Sequence, residues 1–141
     1  MLMNSKKVFV FKSTYGKGEH QIITFGVLTT NGLVVCVFGG QKPHIGAVAI
    51  GIPRPSLKNN RFISATTSVF TLVGHKDDEI AKPVALNFAK SLKLVTAAIV
   101  GLHIEKATQE DIAKLVANSS KASNQLLHKI QKHLTQAHGK V

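Results

Sequence analysis

"HQIITFGVLTTNGLVVCVFGG", residues 20–40, decides the fold. Two runs rich in Ile, Val, Phe and Thr flank Asn31-Gly32, and Asn-Gly between β-rich runs is the strongest short-range hairpin signal. Working outward, "KVFVFK" (7–12) reads as a preceding strand and "HIGAVAIGIP" (44–53) as a following one. Pro53 and Pro55 end the latter in this reading, because proline brings no N–H to a ladder. "TTSVFTLVG" (66–74) makes another strand. "LVTAAIVGLHI" (94–104) is too apolar and β-branched for a surface helix and reads as a central strand.

Helices fill the rest. Asp77 or Asp78 is positioned to cap a helix running to Leu92, with Ile80, Val84, Phe88 and Leu92 on one face. Pro83 shifts its expected start toward Lys82. Thr108 with Asp111 forms a capping-box pattern that opens a second helix, Ile112, Leu115 and Val116 pointing inward. Ser119 and Ser120 are expected to end it. A third helix then carries Leu126, Leu127, Ile130 and Leu134 opposite its lysines. The expected fold is one α+β domain over 1–141. Its antiparallel or mixed sheet grows from N-terminal hairpins, with about three helices of the C-terminal half as cover.

Composition narrows the class. A chain of 141 residues with 44% hydrophobic and 18% charged residues can bury one real core. No apolar run approaches the roughly 18 residues of a membrane span, and "MLMNSKKVFVFK" lacks a signal-peptide layout. Cys36 is the single cysteine, which excludes an internal disulfide; a cytoplasmic protein with Cys36 buried in its strand is expected.

The net charge of +11 comes from sixteen lysines and two arginines, Arg54 and Arg61, and favours anionic partners in general. Nucleic acid fits poorly: no aromatic follows Phe88 and no arginine follows Arg61, so stacking platforms and bidentate base contacts are missing. His128, His133 and His138 fall five apart, which spreads them around a helix as surface groups rather than as a metal set. His44, His75 and His103 with Asp77 or Asp78 make a weaker metal alternative, and no metal is expected. No nucleophile–base pair, Walker motif or nucleophile elbow is present, so no catalytic residue is assigned.

"GGQKPHIGAVAIGIPRPSL" (39–57) is more specific. Arg54 stands between two prolines that hold its backbone extended, beside Ser56, as an anion clamp would. With "SATTSVFTLVGHKDDEIAKPVA" (64–85) and "AAIVGLHIEKATQEDI" (97–112), it resembles the prenylated-flavin chaperone family, the LpdD-like small subunits associated with gallate-type decarboxylases. The resemblance covers about residues 18–118. It implies a non-catalytic protein that binds prenylated FMN (or FMN) and protects or delivers the reduced cofactor to a UbiD-type decarboxylase. A more distant likeness to proteasome assembly chaperones implies a homodimer. Given such a ligand, residue chemistry assigns Arg54, Ser56, Ser64, Thr66 and Thr67 to phosphate and ribityl oxygens. Small residues of "IGAVAIG" would seat the ring, and His44, His75, Lys76 and Asp78 would line its edge. The competing reading is an assembly subunit without a small ligand, its lysine-rich helices forming the partner surface.

Overall fold

The computed structural model describes residues 6–72 and 76–139. Six strands form one mixed sheet: β1 (Phe9–Tyr15), β2 (Ile22–Leu28), β3 (Gly32–Gly40), β4 (Ala47–Pro55), β5 (Ile63–Thr71) and β6 (Val95–His103). Two helices, α1 (Asp78–Leu92) and α2 (Gln109–His138), complete the α+β fold. The spatial order is β1-β2-β3-β6-β4-β5, with β3–β6 the parallel pair and the other neighbours antiparallel. β6 slots between the two antiparallel halves, as its near-continuous apolar sequence requires.

The β2–β3 hairpin forms as expected, but its turn sits one residue early. Leu28 pairs with Leu33, the Thr29 N–H donates to the Gly32 carbonyl at 2.9 Å, and the Thr29 hydroxyl donates to the same oxygen at 3.0 Å. Thr30 and Asn31 are therefore the central residues. The hydroxyl bond holds the turn without the positive φ that an Asn-Gly turn uses.

β4 continues through both prolines. β6 pairs with β4 only as far as Gly51, so Pro53 and Pro55 lie where β4 has no neighbour on that side, and a missing N–H costs nothing there. Both helices pack on one sheet face, α1 over β4, β5 and β6 and α2 over β1 and β2. The core is their shared layer, including Val35, Val37, Val100, Phe88, Leu126 and Ile130. Among the described residues no helix covers the opposite face. Cys36 is therefore half-buried rather than buried, although its surroundings still push the thiol pKa up by desolvation.

Two helices stand where about three were expected. Ser119 and Ser120 do not end α2, which runs unbroken for 30 residues, and Ser119 faces inward. Leu115 is buried, whereas Ile112 and Val116, 45% and 48% exposed, are not. The Thr108–Asp111 capping box is present in both directions. α1 starts at Asp78, ahead of Pro83, which stands inside the helix. His133 is no solvated surface group, because its ring packs on Phe9 and Phe11 at 4.3 and 5.4 Å.

Candidate functional site

The residues singled out from the sequence divide between the two ends of β4. From Ala47 to Arg54 is seven residues, roughly 23 Å of extended chain.

At the N-terminal end, Asp77 does not cap α1 with its side chain. Its carboxylate turns into the protein, where Oδ1 accepts the Leu102 N–H at 3.2 Å and Oδ2 faces His44 Nε2 at 3.3 Å. His44 Nδ1 meets the Lys42 carbonyl at 3.0 Å, and its ring stands edge-on to His103 at 6.3 Å. One buried carboxylate thus ties the β3–β4 loop, the start of α1 and the end of β6. Two glycines make room: a Cβ on Gly46 would collide with Asp77 Oδ2, and one on Gly101 with the His44 carbonyl. Lys76 is exposed at the rim of a cavity of about 320 Å³ floored by Leu102, Ile112 and Leu115, while Asp78 is half-buried at the first helical position. His75 lies outside the described residues.

At the C-terminal end, Arg54 is fixed. Its Nε donates to the Thr66 hydroxyl at 2.7 Å and its Nη1 to the Pro55 carbonyl at 3.0 Å. Ser64 is the cross-strand partner of Arg54, and the Ser56 N–H donates to the Phe62 carbonyl at 2.8 Å. Ser56 and Ser64 also line a cavity of about 440 Å³ together with Arg61, Lys90, Ser91 and Lys93. None of these lining groups is acidic. Lys93 takes a left-handed φ of 56° at the end of α1, a place usually given to glycine; such strain costs on the order of 1 kcal/mol.

Thr67 is not with them. It pairs with Gly51 on the helix side of the sheet, one residue out of phase with Ser64 and Thr66. The small residues Ala47, Ala49 and Gly51 also face inward, where they let α1 approach, so the seat expected for a flat ring is filled by a helix. The outward alternates of that strand are Val48, Ile50 and Ile52. Sequence reasoning missed Arg61, Lys90 and Lys93, because no local motif links a loop after β4 to the last turn of α1.

The family model for the prenylated flavin chaperone LpdD-like domain matches residues 16–131, from just after β1 to well into α2. The chain belongs to this family. No curated protein matches it. As an LpdD-like chaperone domain it carries both ends of β4, all of α1 and most of α2 inside the matched span. A flavin nucleotide has an anionic phosphate and hydroxyls along its ribityl chain. The cavity below the β4–β5 hairpin offers three cations and three serines to such an end, so the residues present fit the group. Among the described residues no cluster of three or more His, Cys, Asp or Glu is placed to hold a metal ion, and no helix is long and apolar enough to cross a membrane.

Proposed function

We propose that this protein is a non-catalytic carrier of prenylated FMN that protects the reduced cofactor and hands it to a UbiD-type decarboxylase in the cytoplasm. The observation that carries this reading, beyond family membership, is a cavity whose described lining holds three cations and no carboxylate. When bound, the prenylated flavin brings the chemistry its client enzyme uses; the residues here bind and orient. Arg61, Lys90 and Lys93 take the phosphate, with Ser56 and Ser64 on the first ribityl oxygens and Arg54 closing from the other side of the hairpin. A cation without a carboxylate partner gains from a dianion what a paired one has already spent.

The protein works as a homodimer in this reading, the uncovered sheet face being the surface a second copy covers. Val10, Ile52 and Phe70 on that face are 69%, 52% and 76% exposed, more apolar area than a lone domain gains by showing. The same face favours the second reading, an assembly subunit without a small ligand. Titration with FMN and with riboflavin separates the two. The carrier reading expects FMN to bind, and Arg54→Ala or Lys90→Ala to weaken FMN by roughly ten- to a hundredfold with riboflavin little changed. No binding of FMN or prenylated FMN in either redox state leaves the subunit reading standing.

A further inference from the structure

The two helices lie side by side on the sheet yet barely touch, and the gap between them is a groove. Its floor and walls hold a cavity of about 320 Å³ whose apolar side is Pro83, Val84 and Phe88 of α1 and Val116 of α2. Ser119 and Ser123 line it as well. They are 1% and 4% exposed, and their hydroxyls have no hydrogen-bond partner among the described residues. A buried hydroxyl ordinarily finds a partner, and in mid-helix the carbonyl one turn back is available. Here two hydroxyls on consecutive turns decline it together. Spaced four apart on one helix face, they stand about 5–6 Å from each other.

Across the groove, Pro83 has no N–H to give the Glu79 carbonyl four residues earlier, and both residues line the same cavity. Among the described residues no lysine or arginine lines it, in a chain of net charge +11, and the one charged group there is Glu79. That set of groups does not suit an anion. It suits an apolar slab with an uncharged polar edge.

We propose that the α1–α2 groove is a second ligand site, for a small uncharged molecule whose flat apolar body lies between Phe88 and Val116 and whose carbonyl or hydroxyl edge meets Ser119 and Ser123. The volume is at the lower end for small-molecule pockets and admits a fused two-ring compound. The site is separate from the basic cavity, which opens at the other end of α1, and it does not depend on flavin binding there.

Coumarin is a fitting probe: neutral, flat and with a carbonyl edge, its binding read by ligand-observed NMR. Naphthalene is its counterpart without the carbonyl. Wild type should bind coumarin more tightly than naphthalene. Ser119→Ala with Ser123→Ala should erase that preference, weakening coumarin by roughly two- to tenfold per lost bond while naphthalene is unchanged or tighter. Val116→Trp, at a half-exposed position that tolerates bulk, should fill the groove and abolish both. Either of two results overturns the site: coumarin binding that survives Val116→Trp in a folded variant, or a coumarin preference unaffected by the double serine change. Failure of coumarin to bind wild type overturns it too. FMN titration of the same variants reports on the basic cavity separately, since none of Val116, Ser119 and Ser123 lines it.

Discussion

The two ends of β4 handle charge in opposite ways. At its N-terminal end a carboxylate is buried against a histidine and a backbone N–H, and two glycines bring the backbones close enough to seal it. At its C-terminal end three cations gather with no acid among them, around an opening of about 440 Å³. A charge with its partner in place holds chains together. Like charges gathered without a partner cost stability and are worth keeping only where a ligand of opposite sign arrives.

The sharpest way to break the closed end is Gly101→Val. Its side chain must displace the His44 backbone, which cannot yield as a side-chain tip can, and overpacking of this kind costs about 3 kcal/mol. Urea denaturation should show the loss, and a variant as stable as wild type would mean the loop is not clamped. Asp77→Ala comes next, at about 2 kcal/mol, because it strips a charged acceptor from the Leu102 N–H. Asp78→Ala, half-buried and without a described hydrogen bond, should change melting little; equal losses for the two would erase the distinction drawn between them.

Lys90→Glu turns the open end toward the character of the closed one. A carboxylate among Arg61 and Lys93 should relieve their mutual repulsion, so thermal stability stays level or rises slightly while affinity for FMN falls by roughly a hundredfold. Unchanged FMN affinity would move the phosphate elsewhere.

The smallest effect belongs to another His–carboxylate pair, nearer the surface. His20 Nε2 meets Asp111 Oδ1 at 2.7 Å, and hydrogen bonds from the Thr108 backbone first, then His20, hold the Asp111 carboxyl down to about 2 from an ordinary 3.8. A carboxyl depressed in the folded state stabilises fully above its unfolded pKa. Its contribution is lost as pH falls through the folded value. The melting temperature should therefore drop between pH 4 and 2, and Asp111→Asn should flatten part of that drop. A profile identical to wild type would take the pair out of the account.

Strand identity, the β2–β3 hairpin, the capping box and the central place of β6 were legible because each depends on residues close in sequence: alternation, turn chemistry, a four-residue cap. The break expected at Ser119-Ser120 was misread for the same reason. Serine is a poor helix former by itself, but the apolar face continues at Ala122, Leu126 and Ile130, and their burial outweighs a few tenths of a kcal/mol of propensity.

The chain's own sequence thus determined which segments pair or coil and the family to which they belong. Only the tertiary structure decided that Asp77 turns inward to His44 and Leu102, that Thr67 parts from Ser64 and Thr66, and that Arg61, Lys90 and Lys93 converge on one opening. Periodicity fixes which face of its own element a residue takes, and through-space distance is set by how separate elements cross. Groups that meet from three elements leave no mark at any sequence spacing.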